Sequence, residues 1–399
     1  MINKTHLWPE QPSETGDTIT WGVTIENANN KCSHLWYRIP VEYKEIITAG
    51  CEPFVLGALF MAMSQATDLV VHGQVSPSLL RNLEEFQNAW ISWRPEWYTK
   101  IEIMADRELE SSKAVNSARA IMAFSGGVDA SFTAWSHKKG QRGRLTCDIA
   151  TGVMVHGFDI PLDRGDDFRF AAEKSTRMLA SLGMTLIPVT TNFRELEGDW
   201  EDTHGAGLAS CLMLFQDNYA RGVIASTEPY NSLVIPWGSN PITDPLLSGN
   251  SFQIIHDGAA FTRSEKIRTI AQWPEALRNL RVCWQGEQKD RNCGRCEKCV
   301  RTILNFRVMG IDLPECFEHD VTDQQILSLK GLRPGTPQFV SLEEILSTAR
   351  TAAISESWVT ALEQCLYKNR MGANGQHSFR QRLRKIIPLT LRRQFHRSM

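Results

Sequence analysis

The order of apolar and polar positions divides the chain into two stretches of different texture. In the first, residues 18–26 and 34–39 alternate with a period of two and are rich in β-branched and aromatic side chains, so both read as strands. Ser76-Pro77 reads as a helix start, with serine as cap and proline in the first helical position. Leu79, Leu80, Leu83, Phe86 and Trp90 continue it at helical spacing, and residues 98–103 alternate as a further strand. Trp90, Trp93 and Trp97 read as packing residues. Residues 108–117 are polar and read as a linker. Residues 1–110 are therefore expected to fold independently, as an α+β accessory domain that shapes substrate choice.

From Ala118 the pattern changes. Apolar runs at 118–124, 149–155, 184–189 and 223–226 read as buried strands, and 132–138, 168–182 and 207–219 as the helices between them. This order predicts an α/β fold with a parallel, doubly wound sheet. Such sheets bind ligands beyond the carboxyl ends of their strands. Residues 317–370 read as a helical extension and 372–378 as a small-polar linker within a basic tail, 371–399. From Phe379 onward, Arg380, Arg382, Arg384, Lys385, Arg392, Arg393 and Arg397 interleave with Leu383, Ile386, Ile387, Leu389 and Leu391 and no acid, and Pro388 prevents one continuous helix. That tail suits an anionic surface, membrane lipid or nucleic acid; a solvated tail is the plainer alternative.

Bulk composition narrows the classes. A length of 399 residues with 42% hydrophobic content supports two or three domains with sizeable cores. A net charge of −2 gives no global field toward nucleic acid or membranes. There is no basic start followed by an apolar stretch, and no apolar run approaches the roughly 18 residues of a membrane span. The expected location is cytoplasmic, with peripheral attachment open to the tail.

Candidate chemistry concentrates in two places. Ser125-Gly126-Gly127-Val128-Asp129-Ala130-Ser131 joins a strand to a helix start. Glycines let the backbone turn and let phosphate oxygens approach it. The N–H groups of the turn and the first helical turn then point at the anion. Ser125 and Ser131 can add donors, and Asp129 can hold the Mg²⁺ of a triphosphate. An ordinary strand–turn–helix corner is the bland alternative.

Of ten cysteines, Cys32, Cys51, Cys147, Cys211 and Cys365 are scattered. Cys283, Cys293, Cys296 and Cys299 offer four thiolates at a spacing that suits tetrahedral Zn²⁺. Arg291, Arg295, Lys298 and Arg301 would offset their charge. An iron–sulfur cluster is the competing reading, but its fourth cysteine would stand where Ile303 is.

The 125–131 loop resembles the SGGxDS loop of the N-type PP-loop ATP pyrophosphatases, with Ala130 where that family has its second serine. Cys283-Trp284-Gln285-Gly286, followed by Cys293-Gly294-Arg295-Cys296-Glu297-Lys298-Cys299-Val300-Arg301, resembles the CYxG…CGxCxxCxxR end of 7-cyano-7-deazaguanine synthases. Thr262-Arg263-Ser264-Glu265-Lys266 resembles their NKAE helix start. The similarity covers about residues 118–310, within a domain expected at 118–316; residues 1–110 and 317–399 have no counterpart.

The resemblance implies a Rossmann-like fold of the PP-loop (HUP) type and structural zinc on the four cysteines. It implies ATP cleaved to AMP and pyrophosphate, a carboxylate adenylated, and the acyl group passed to ammonia or an amine. Its acyl partner would be a carboxylate-bearing small molecule or macromolecule. Asp129 with Mg²⁺ would hold pyrophosphate. Arg263 and Lys266 would meet phosphate or the acyl-adenylate oxygen, or be solvated helix charge. His204 is expected to open the third core helix, facing the nucleotide or merely capping. His156 follows the second core strand, where relatives contact adenine. His256, Asn240, Thr243 and Asp244 are expected near a substrate pocket that lacks the family's usual residues, so the substrate is expected to differ. Two other functions stay open: sulfur insertion, with Cys147 or Cys211 as persulfide carrier, and a non-catalytic nucleotide-binding scaffold.

Overall fold

The computed structural model describes residues 4–110 and 118–386. The chain begins with β1 (Lys4–Pro9), β2 (Ser13–Thr15), β3 (Thr18–Glu26), β4 (Cys32–Pro40), α1 (Glu52–Gln65), β5 (Asp68–Val75), α2 (Pro77–Trp93) and β6 (Ile103–Glu108). It continues through β7 (Arg119–Ala123), α3 (Val128–Lys138), β8 (Asp148–His156), α4 (Gly165–Ala180), β9 (Thr185–Thr191), α5 (Trp200–Met213), β10 (Arg221–Ala225) and β11 (Gln253–Asp257). It ends helical, in α6 (Arg263–Ile270), α7 (Pro274–Asn279), α8 (Glu297–Val308), α9 (Asp323–Ser328), α10 (Pro337–Thr351) and α11 (Ser357–Ile386).

Strands β11-β10-β7-β8-β9 are parallel neighbours in that order. Their side chains alternate between two cores. Ala120, Met122 and Val223 face one, with α3, α4, α6 and α8; Ile121 and Ile224 face the other, with α5, α1 and α2. The winding reverses where α5 carries the chain from β9 to β10 on the far side of β7, so helices cover both faces, as the sequence predicts.

The boundary expected near residue 110 is a change of texture, not of sheet. β4 pairs antiparallel with β9 through Tyr37–Thr191 and Arg38–Thr190, and β3, β1, β5 and β6 extend the same sheet. Asn192 prolongs the junction. Its side chain accepts from Trp36 N at 3.0 Å and donates to His34 O at 2.9 Å. Tyr37 is fully buried there and donates to Ser210 Oγ on α5 at 3.0 Å. The first 110 residues thus share a core with the rest and do not form a separate unit. Only one face of their strands is covered, by α1 and α2; the other presents half-exposed Trp36 and exposed Arg38 and His34.

Other expectations shift for local reasons. Of residues 98–103 only Ile103 enters a strand. Thr99 N donates to Met63 O and Ile101 N to the Gln87 side chain, so this backbone is satisfied by α1 and α2 instead of a neighbouring strand. α5 starts at Trp200 because the Asp199 carboxylate caps it, accepting from Glu201 N at 2.9 Å. The expected linker 372–378 is helical within α11. Two glycines cost about 1 kcal/mol each in a helix, and α11 is anchored by buried Trp358, Leu362, Cys365 and Leu366. Most of the polar stretch after Glu108 (residues 111–117) and the end of the basic tail (387–399) lie outside the described residues. Among those described, no helix is long and apolar enough to cross a membrane.

A chain lacking residues 1–110 is expected to expose the β9 edge and the buried side of α5, and so to lose a cooperative melt and bind hydrophobic dye. Thermal unfolding checks this: a truncation that melts cooperatively at the full-length temperature would show that the halves are separable.

Candidate functional site

A cavity of about 270 Å³ opens at the carboxyl ends of β7, β8 and β10. This is the crevice where the strand order reverses, between β7 and β10, the place at which open α/β sheets bind ligands. Its floor is the turn from β7 into α3. Gly126 makes the turn at φ +72°, left-handed backbone that glycine adopts without strain. Gly127 is the cap of α3, and its N–H lies 3.4 Å from Ser125 Oγ. The first turn of α3, with Val128 and Asp129, therefore presents its N–H end to the cavity.

Three cations, Arg263, Arg281 and Lys298, line the wall with three carboxylates, Asp129, Asp159 and Glu201. α6 opens with a capping box between Thr262 and Glu265, which places Arg263 and Lys266 one turn apart on its inward side. Lys266 Nζ donates to Asp129 Oδ1 at 3.0 Å and to Ser226 O at 2.5 Å. Arg263 Nη1 lies 3.5 Å from Asp129 Oδ2, and Nη2 donates to Thr302 Oγ1 at 3.1 Å. Burial alone would raise the Asp129 carboxyl; Lys266 and Arg263 outweigh it and hold it below the usual range. Burial, with Arg301 adding to it, pushes Arg263 down to about 10, still cationic at neutral pH.

Arg281 and Lys298 complete the charged end. Arg281 N donates to Gly126 O at 2.8 Å, its Nε donates to Ser125 O at 3.3 Å, and Nη2 stands 3.9 Å from Asp159 Oδ2. No described residue hydrogen-bonds the Lys298 ammonium, while its backbone carbonyl accepts from Thr302 Oγ1 at 2.7 Å. Burial first, then the charge of Arg263, lowers the pKa of the Lys298 ammonium. Such a cluster is suited to a polyanion.

The four cysteines converge behind this wall. All four sulfurs lie within 4.8 Å of one another; Cys283–Cys296 and Cys293–Cys299 are 3.7 and 3.9 Å apart. Tetrahedral Zn²⁺ with sulfurs at about 2.3 Å has edges of about 3.8 Å, so the set fits a closed metal site. Gly286 N and Cys296 N each donate to a sulfur at 3.3 Å. The Asn292 side chain braces the loop, accepting from Val282 N and Cys283 N and donating to Leu280 O and Cys316 O. Among the expected charge-offsetting residues, Arg291 pairs with Asp290 and Glu318, Arg301 with Glu297, and Lys298 turns to the cavity.

The opposite end is aromatic. Trp200, His204 and Leu208 project from α5 at one-turn spacing and meet Phe158 and Trp237. His204 thus lies one turn inside its helix, on the cavity wall.

Of the residues the sequence singled out, Ser125, Gly127, Val128, Asp129, Arg263 and His204 share this wall, with Gly126 beneath it and Lys266 behind Asp129. Others do not reach it. Ser131 is fully buried on the inner side of α3, its hydroxyl unpaired. His156 bonds Pro161 O at 2.8 Å and stacks on Phe168; burial lowers its pKa, and its role is to hold the loop after β8. Asn240, Thr243 and Asp244 are fully buried and bind one another, Ser239, Trp237 O and His256. They build a loop, not a ligand surface. The loop 237–250, expected at the substrate pocket, brings only Trp237 to the cavity; Arg281, Asn292 and Trp200 were not visible as site residues. Arg281 alone carried a signal: a cation two positions before the first of the four clustered cysteines.

Cys296→Ser is expected to drop metal from one ion per chain to a small fraction and to lower the melting temperature by more than about 5 °C. Metal analysis and calorimetry check this; a variant that stays stable but turns over slowly would assign the cysteine a chemical role.

Comparison with protein-family models, curated proteins and solved structures returned no match.

Proposed function

We propose that this chain is an AMP-forming, ATP-dependent ligase of the PP-loop type, with the Rossmann-like fold of that group. It would adenylate a carboxylate and pass the acyl group to ammonia or an amine. One observation carries this reading: the glycine turn 125–129, the start of α3 and three cations, Arg263, Arg281 and Lys298, converge on one cavity at the reversal of the strand order. In this reading the turn amides and Arg281 hold the phosphates, and Arg263, Lys266 and Lys298 offset charge that grows as pyrophosphate leaves. Asp129 would hold Mg²⁺, which neutralises the departing pyrophosphate. Zinc on the four cysteines is structural, since four thiolates leave no open position.

Sulfur insertion is less well supported. Cys147 precedes β8, at the end of the sheet away from the cavity, and Cys211 is buried in the core on α5. Burial pushes both thiols up, away from the thiolate form.

Two measurements test the assignment. Asp129→Asn is expected to abolish release of AMP and pyrophosphate in a folded protein; ADP and phosphate as products would sink the reading. The ion pairs of Asp129 also predict ordered loading. Its carboxylate is occupied by Lys266 and Arg263 until polyphosphate draws them off. Mn²⁺ is thus expected to bind at least ~10-fold more tightly with inorganic pyrophosphate than without it. Lys266→Met is expected to bind Mn²⁺ without pyrophosphate. Equal Mn²⁺ affinity in all three cases would dispose of the ordering.

A further inference from the structure

We propose that His204 is the proton acceptor for the nitrogen nucleophile in the acyl-transfer step. The proposal rests on the adenylation reading above and assigns a group to its second half.

Geometry sets the tautomer. His204 Nδ1 lies 3.0 Å from Trp200 O. A carbonyl oxygen only accepts, so Nδ1 carries the proton and Nε2 of the neutral ring carries the lone pair. The Nδ1 edge is closed by Gly238: a Cβ there would come within 2.5 Å of Nδ1 and 2.7 Å of Cε1. Gly238 N donates to Glu201 O at 2.7 Å, which fixes the loop over that edge. Gly205 permits the approach, since a Cβ on it would stand 2.0 Å from Gly238 O. Nε2 is left as the ring's cavity-side nitrogen, and no described residue hydrogen-bonds it.

The surroundings keep the ring neutral. Burial lowers the His204 pKa; the Trp200 carbonyl, Asp244, Asp159 and the Glu201 carbonyl oppose this without reversing it. Asp244 is committed to Ser239, Asn240 N and His256. Arg263, Arg281 and Lys298 line the other, charged end of the cavity. Trp200 and Trp237 flank the ring, with centroids 5.8 and 5.0 Å away, and give it an apolar setting.

The step balances as follows. The amine nitrogen attacks the acyl carbon and the C–N bond forms. An N–H bond breaks and its proton passes to Nε2. The acyl C–O bond breaks, and its electron pair leaves on the phosphate oxygen of AMP. The imidazolium's Nδ1–H stays bonded to Trp200 O. Without such a base, an amine that has attacked stays protonated and is expelled again.

The test uses full-length, zinc-loaded protein and the variant His204→Gln. Nitrogen NMR of the labelled imidazole is expected to show an Nδ1–H ring, neutral at pH 7; an Nε2–H tautomer or an imidazolium overturns the proposal. A carboxylate panel from acetate to indole-3-carboxylate is then run with ATP and either ammonia or hydroxylamine. Hydroxylamine is a far weaker base than ammonia, so the N–H of its adduct is acidic enough to pass its proton to water. His204→Gln is expected to lose ammonia-dependent amide formation about 100-fold while retaining hydroxamate formation. Expressed per free NH3, the wild-type amide rate is expected to fall at acid pH, with a midpoint below the ordinary imidazole value, and the variant's residual rate to lack that limb. Equal loss with both nucleophiles would mark a structural role and overturn the base. An unchanged ammonia rate alongside hydroxamate formation would defeat only the base. No wild-type hydroxamate with any acid would defeat the adenylation reading and the base with it.

Discussion

The burial of the Lys266 ammonium is the constraint around which the site is arranged. Only 1% of this residue is exposed, and an unpaired ammonium at that depth is prohibitive. Asp129 and the Ser226 carbonyl offset it, and Arg263 takes the second oxygen of the same carboxylate. One carboxylate therefore serves two cations, while Arg281 and Lys298 add charge to the same wall and Asp159 balances only part of it. Removing one member of a buried pair costs about 3–5 kcal/mol, so Asp129 is tied to folding as well as to any ligand. The positive excess left over is what an incoming polyanion would satisfy, with the N–H end of α3 aimed at the same place.

The cysteine cluster gains its meaning from that wall. Cys296 caps α8, and Lys298 sits between two sulfur-bearing residues, Cys296 and Cys299. The direction of its side chain is thus set by how the sulfurs converge. On the other arm, Cys283 follows Arg281 by two residues, and Asn292 locks the peptide between them. A metal on the four thiolates would hold two of the cavity's cations at a fixed distance without itself touching a ligand.

Local chemistry was legible in the sequence wherever one residue type at one spacing admits few structures. The Gly-Gly turn before α3, the four-cysteine spacing and the Ser76-Pro77 start of α2 are of this kind. So was the core of the sheet, since buried parallel strands read as plain apolar runs. What could not be read was long-range. Nothing local says that Tyr37 would meet Thr191 across a sheet junction, or that Asn240 and Asp244 would spend their polarity on each other. Ser131 reads as a donor because serine usually is one; its position one turn into α3 puts it on the buried side. Trp200 and Trp237 join His204 only because the chain folds back over α5 at Gly238.

That fold-back bears on how the first half of the chain acts. α5 has two working faces. Trp200, His204 and Leu208 look into the cavity, whereas Asp202 and Ser210 face the first 110 residues. Tyr98 donates to Asp202 Oδ2 at 3.0 Å and Arg94 stands 3.5 Å from Oδ1, with Asp202 itself buried. Burial raises the Asp202 carboxyl, and Arg94 and Tyr98 offset this only in part, so the clamp is the main reason a charge is tolerated there. Tyr37 holds the same helix two turns on, through Ser210. A helix gripped at both points moves as a rod. Residues that never touch the cavity can therefore set the position of its aromatic end, while the charged end, built on α3, α6 and the cysteine loop, stays where it is. In the proposed reaction, selection of the acyl group and handling of the phosphates would in this way fall to different parts of one sheet.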